Sequence, residues 1–326
     1  MSILAGLYGR AAAWRRAWYD ADASRRQLLD RPVISVGNLV VGGSGKTPTV
    51  AALARLLERG GERPAILSRG YGRRESSDGV VVVSDGRRVL EPVERSGDEP
   101  QMLARALDGV PVLVAKDRAL AGRLAEGRLG ATVHLLDDGF QHLPLARDVD
   151  LLIVAPDDLE ERLLPSGRLR EPIDTGRRAD ALLVPGSDAD AAAIAARLGV
   201  GTVFRLTATY DVPRPAPANS TAIAVAGIAR PERFFAALRA QGVDVRRELA
   251  FRDHHWFSAS ELASIERQAR DAGASIVTTE KDAMRIGSRA GWSYLPMTMA
   301  VEPAEAFADW LMARVRAARG RRGAAA

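Results

Sequence analysis

The chain has 326 residues, 47% hydrophobic and 27% charged, which is long enough for two globular units and apolar enough for sizeable cores. It has no cysteine, which excludes disulfides, zinc–thiolate centres and thiol chemistry. Its formal net charge of +5 suits a phosphorylated substrate, nucleic acid or an anionic membrane surface, but it has no stacking aromatic array, cleavable signal peptide or bilayer-spanning apolar run.

Residues 1–30 read as helix, with Ile3, Leu4, Leu7, Trp14 and Trp18 mixed among Arg10, Arg15, Arg16, Arg25 and Arg26. Such a segment suits a membrane interface, and equally a helix docked on the main body. Residues 33–50, VISVGNLVVGGSGKTPTV, then organise the chain. A β-branched strand runs into a glycine-rich turn, Lys46-Thr47 and a helical pattern. That order wraps backbone N–H groups and a helix N-terminus around a polyphosphate. Gly42, Gly43, Ser44 and Gly45 form the cradle, Lys46 reaches the β- and γ-phosphates, and the Thr47 hydroxyl is a Mg2+ ligand. The strict pattern places a glycine five residues before Gly45, where this chain has Val40. Lys46, Lys116 and Lys281 are the only lysines, so each invites a role.

Residues 64–67 read as a second strand. The basic loop Ser68–Arg73 at its carboxyl end is either a ligand contact or an ordinary flexible loop. Residues 78–90 resemble a hairpin turning at Asp85-Gly86. SGDEPQMLARAL, residues 96–107, opens a helix with Ser96 or Asp98 as its cap. Further on, Asp137-Asp138 end an apolar run. Beside a phosphate loop that is a place for Mg2+ or its water shell, although DDG is also a common turn. LLPSGRLREP, residues 163–172, carries Arg168 and Arg170, either of which can stabilise a transferring phosphoryl group or sit in solvent.

Three prolines among Ser, Thr and Asn mark residues 208–220 as a linker. A second strand–helix alternation follows, with Pro231 in a first helical turn, Ser258 capping another helix, one strand over WSYLPMTMAV and a closing helix. Adjacent His254 and His255 suit metal binding, base catalysis or a surface position; no third and fourth ligand supports zinc.

Taken together, SVGNLVVGGSGKTP, LSRGYGR, SGDEPQ, LLDDGFQH, PSGRLREP, VAGIARPERFF, FRDHHWFS and TTEKDAMR resemble, in order, the tetraacyldisaccharide 4'-kinase family, the lipid A 4'-kinases of Gram-negative bacteria. The resemblance covers about residues 32–285, and the family's loop likewise lacks the first glycine. It implies an α/β fold: a P-loop NTPase-type three-layer α/β/α domain plus a second, smaller α/β domain, with an N-terminal amphipathic helix. The expected division is 1–30 membrane-associating helix, 31–207 kinase domain, 208–220 linker and 221–326 smaller domain. The implied reaction moves the γ-phosphate of ATP to the 4'-hydroxyl of tetraacyldisaccharide 1-phosphate with Mg2+, at the cytoplasmic face of the inner membrane. Asp98 matches the family's proposed general base, with His254 as its partner and His255 in reserve. Asp137 and Asp138 match its acidic pair, Gln141 lies near them in sequence, and Arg170 matches a phosphate contact. The expected partners are the lipid disaccharide and an anionic membrane surface, with no nucleic acid and a monomer. The alternative is a P-loop NTPase acting on a soluble metabolite or serving as a nucleotide switch. The loose echo TEKD, residues 279–282, lacks the guanine-reading pattern of such switches.

Overall fold

The computed structural model describes residues 3–75 and 78–323. Helix α1 (Ile3–Asp20) opens the chain. Then come β1 (Val33–Asn38), α2 (Lys46–Arg59), β2 (Pro64–Ser68), β3 (Val81–Asp85), α3 (Val93–Ser96), α4 (Asp98–Ala106), β4 (Pro111–Val114), α5 (Arg118–Leu129), β5 (Val133–Asp137), β6 (Val149–Ile153), β7 (Ala181–Pro185), α6 (Asp188–Leu198) and β8 (Val203–Tyr210). These strands form one sheet in the order β8-β7-β6-β1-β5-β2-β4-β3. All pairs are parallel except β3 with β4. Every residue of β1, β2 and β5 is buried, as expected of central parallel strands covered on both faces. Ile34 and Val36 pack with Leu53 and Leu57 of α2 on one face, and Val33 with Ala121 and Ala125 of α5 on the other. The result is a three-layer α/β/α sandwich. The expected hairpin over residues 78–90 is instead the edge strand β3, closed only by a bridge between Ser84 and Val89.

A second, four-stranded parallel sheet follows. It is built from β9 (Thr221–Ala226), α7 (Pro231–Ala240), β10 (Asp244–Ala250), α8 (Ala259–Asp271), β11 (Ser275–Thr279), α9 (Glu280–Ile286) and β12 (Trp292–Leu295), in the order β10-β9-β11-β12. Ser258 caps α8 in a capping box with Glu261. The stretch read as one last strand is split at Pro296. β12 stays in the small sheet, whereas β13 (Met297–Glu302) crosses back and pairs antiparallel with β8. Helix α10 (Ala304–Gly323) then buries Phe307, Leu311 and Val315 in the core of the large sheet. Residues 297–323 therefore pack with the first unit, not within a smaller unit running to the C-terminus.

Helix α1 docks by an unexpected face. Ala5, Gly9 and Arg16 are buried and Ala12 and Tyr19 half-buried, a single stripe at helical spacing. Gly9 lets the helix lie close, since a Cβ there would meet Leu163 Cδ1 at 2.7 Å and push that side chain aside. Leu4, Leu7, Trp14 and Trp18 point outward and are exposed. No described helix is long and apolar enough to cross a membrane.

Candidate active site

The phosphate side grows from the carboxyl end of β1. Gly45 adopts φ +80°, a left-handed conformation that glycine takes freely, and stands at the N-cap of α2 with no side chain capping it. The first amides of α2 are thus free to meet an anion, reinforced by the helix dipole. Gly42, Gly43 and Ser44 line the approach. Lys46 opens the helix, its Nζ 3.0 Å from Asn38 Oδ1 and 3.6 Å from Asp138 Oδ1. Thr47 is buried one residue on.

Strand β5 lies against β1 with Asp137 paired to Val36, so both acidic residues emerge beside the phosphate loop. Their environments are opposed. The Asp137 carboxyl is pushed up to about 7, first by burial and then by the nearby charges of Glu99 and Asp138. Its Oδ1 is buried without a hydrogen-bond partner. Burial alone would also raise Asp138, but Lys46 and Arg170 beside it hold it well below the usual carboxylate range. Arg170 grips Asp138 with two hydrogen bonds of 2.7 and 2.8 Å and also donates to Asn38 Oδ1. Gln141 donates to the Asn38 carbonyl at 3.0 Å, and Arg118 donates to the Asp138 carbonyl at 3.1 Å. No group of three or more His, Asp or Glu side chains placed to hold a metal ion by themselves is present among the described residues. That donor set suits Mg2+, which commonly takes one or two carboxylates and completes its shell with water and substrate phosphates. Asp137, with its unpartnered oxygen, and Thr47 fit the ion better than Asp138, whose oxygens are taken by Arg170.

Helix α1 braces this region. Arg16 pairs with Glu171 through two bonds of 2.7 and 2.8 Å, donates to the Phe140 carbonyl at 3.1 Å and lies over the Phe140 ring. Arg15 donates to the Gln141 carbonyl at 3.2 Å. Phe140 in turn requires glycine at position 37, where a Cβ would meet the Phe140 Cβ at 2.4 Å.

The second side of the site spans the two sheets. Asp98 is the first residue of α4, not a cap; Gly97 holds the N-cap position and Ser96 bonds instead to Gln101. Asp98 is 2% exposed. Its Oδ1 accepts the Glu99 N–H at 2.9 Å, and its Oδ2 lies 3.0 Å from His254 Nδ1. Burial would raise this carboxyl, but the His254 hydrogen bond and the charges of Lys281 and Arg285 outweigh it and hold it below its ordinary value. His255 turns away, bonding Glu261 at 3.1 Å and stacking on Phe251. His254 (φ +58°) and Asp138 (φ +54°) are the only non-glycine residues of positive φ among those described. Such backbone strain, roughly 1–3 kcal/mol each, gathers at functional sites. The loop Ser68–Arg73 reaches His254 as well. Tyr71 meets its ring edge-on, and a Cβ at Gly72 would lie 3.0 Å from Nδ1.

The structure thus groups Lys46, Asp137, Asp138, Arg170 and Gln141 around one strand end, and Asp98 with His254 across the two sheets. Arg168 is elsewhere, paired with Glu161. Sequence reasoning missed Glu99, Asp253, Arg285 and the Arg16–Glu171 pair. Lys281 was flagged only by the scarcity of lysine, and Arg285 sits in the same TTEKDAMR segment.

Known proteins resemble this chain along most of its length. The family model for tetraacyldisaccharide-1-P 4'-kinase matches residues 1–316. A tetraacyldisaccharide 4'-kinase of Koribacter versatilis is 42% identical over 295 residues, covering 88% of each chain. That of Rhodopseudomonas palustris is 42% identical over 333 residues, covering 98% of this chain and 93% of its own. A crystal structure of the "apo" form of LpxK from Aquifex aeolicus in complex with ATP superposes with a TM-score of 0.76 at 32% identity, over 96% of this chain and 97% of that one. A glycine cradle, an acidic pair and a carboxylate–imidazole contact are each met in many enzymes; with a family match over residues 1–316, this chain belongs to the tetraacyldisaccharide 4'-kinase family.

Proposed function

We propose that the chain is a lipid kinase that transfers the γ-phosphate of ATP to the 4'-hydroxyl of tetraacyldisaccharide 1-phosphate in lipid A biosynthesis. The observation that carries this reading is the Asp98–His254 pair, held between the sheets of a chain that matches the kinase family over residues 1–316, phosphate loop included. The α2 amides and Lys46 bind and neutralise the polyphosphate, and Arg170 holds Asp138 beside it. Asp98 receives the proton of the sugar hydroxyl, a poor nucleophile until then. Mg2+, held by Thr47 and Asp137, would offset phosphate charge. The outward-facing Leu4, Leu7, Trp14 and Trp18 of α1, flanked by arginines, support contact with an anionic lipid surface at the cytoplasmic face of the inner membrane. For the domain division, the small sheet supports a second unit over residues 221–295, with 297–323 belonging to the kinase unit.

The test is a transfer assay in detergent micelles with γ-labelled ATP, Mg2+ and tetraacyldisaccharide 1-phosphate. Label in the lipid is the expected result. Label released only as free phosphate would leave an NTPase and remove the lipid-kinase reading.

A further inference from the structure

The small sheet sends two cations to the candidate base. Lys281 and Arg285 lie one turn apart on α9. The Arg285 side chain is 1% exposed and is fixed on its own unit by Asp282 and, at 3.0 Å, by the Gly227 carbonyl. Asp282 is itself held by the Gly227 N–H at 2.9 Å and the Thr279 hydroxyl at 2.6 Å. From that mount Arg285 donates to Asp98 Oδ2. Lys281 Nζ lies 3.1 Å from Glu99 Oε1, 3.3 Å from Asp253 Oδ1 and 3.1 Å from His254 Nε2.

These contacts decide a tautomer. An ammonium has no acceptor, so His254 Nε2 must present its lone pair to Lys281. The ring proton of the neutral imidazole then sits on Nδ1 and points at Asp98. Asp98 is left with three donors, the Glu99 N–H, the His254 Nδ1–H and Arg285, and with a lone pair remaining on Oδ1.

We infer that Lys281 and Arg285 are positioning residues for phosphoryl transfer. They keep Asp98 ionised and aimed, and they fix His254 in its Nδ1–H form, so the base is competent only while the two sheets are apposed. The inference rests on the reading of Asp98 as the base. In the step, the hydroxyl proton passes to Asp98 Oδ1, and the electron pair left on oxygen forms the new bond to the γ-phosphorus. The bond from that phosphorus to the bridging oxygen breaks, and its pair leaves with ADP. The cations disfavour the protonated carboxyl, so they also drive its return to the anion once product departs. Burial opposes ionisation of Asp98; the His254 contact, Lys281 and Arg285 outweigh it, while Glu99, Asp253 and Asp282 balance the two cations.

The test is kcat in micelles across about pH 5.5 to 8.5 for wild type, Lys281→Met, Lys281→Arg, Arg285→Met, Arg285→Lys and Asp98→Asn. An opposite charge nearby lowers a carboxyl by about 1–3 pH units, so each Met variant should lose rate at the acid end, up to about tenfold. The deficit should shrink as pH rises, the KM for ATP should hold within about twofold, and the charge-conserving variants should recover most of the rate. Melting curves check the fold; if Arg285→Met does not fold, the more accessible Lys281→Met carries the test. A deficit equal at every pH, or Met variants equal to wild type, with Asp98→Asn inactive, would overturn the clasp and leave the base standing. An active Asp98→Asn would instead remove the base reading itself.

Discussion

The phosphate side and the base side of this site are assembled by different means. Asn38 and Asp137 end β1 and β5, adjacent strands of one sheet, Lys46 opens the helix that follows β1, and Arg170 folds over them. The base side joins residues 156 and 187 positions apart, Asp98 with His254 and with Arg285, drawn from two sheets. The phosphate side is thus drawn from the large unit, whereas Asp98 meets His254 and Arg285 only where the small unit packs against it. Even the strain is shared out, Asp138 being the positive-φ residue on one side and His254 on the other.

Asp98→Ala should separate the two sides most sharply. A carboxylate base contributes about 10²- to 10⁴-fold, so kcat should fall by that order while ATP affinity, read by calorimetry, persists. A loss of only a few-fold would reduce Asp98 to the opening residue of α4. His254→Ala should fall in the same direction, and the double variant should lose less than the product of the two single losses. Full additivity would dissolve the pair. Asp137→Asn probes the other side. It should raise the Mg2+ concentration for half-maximal activity by about tenfold or more, and Asp138→Asn should move it less. Equal shifts would put both carboxylates on the ion.

A smaller effect concerns acid stability on the phosphate side. Burial, with Arg118 and Arg147 adding to it, holds the His142 imidazole down to about 3, against an ordinary 6.5. Below the ordinary value the unfolded chain takes up a proton that the folded chain refuses. This contribution is thus fully present above that pH and fades as pH falls toward the folded value. Between pH 7 and 5, unfolding free energy should drop by about 2 kcal/mol less in His142→Gln than in wild type, measured in urea. Parallel slopes would show that His142 is protonated without penalty. The smallest effect belongs to the small unit away from the site. Ser258→Ala removes the α8 cap and should cost about 1 kcal/mol with kcat unchanged. A lowered kcat would mean that α8 helps set His254 through the intervening loop.

The phosphate side was legible in the sequence because strand, glycine turn, Lys46-Thr47 and helix are contiguous, and because Asp137-Asp138 end a visibly buried run. The base side was legible only through resemblance, since nothing local links Asp98 to a histidine so far along the chain. The register within His254-His255 depended on which ring faces α4, a tertiary fact. The same limit hid the split at Pro296. Both halves of WSYLPMTMAV have strand composition, and sheet choice follows from partners, β11 for one and β8 for the other. Arg16 was concealed differently: among the arginines of an amphipathic helix, composition cannot tell the one that is buried.

That arginine has a practical consequence for anyone shortening the protein. Leu4, Leu7, Trp14 and Trp18 make α1 an obvious segment to trim for better handling in aqueous buffer. Trimming it would strip the counter-ion from Glu171, a carboxylate 5% exposed, and remove the cation lying over Phe140. A buried charge left without its partner is strongly destabilising. Since Glu171 follows Arg170, the damage would fall on the loop that grips Asp138, and a shortened protein that gained solubility would be a poor reporter of the intact enzyme's turnover.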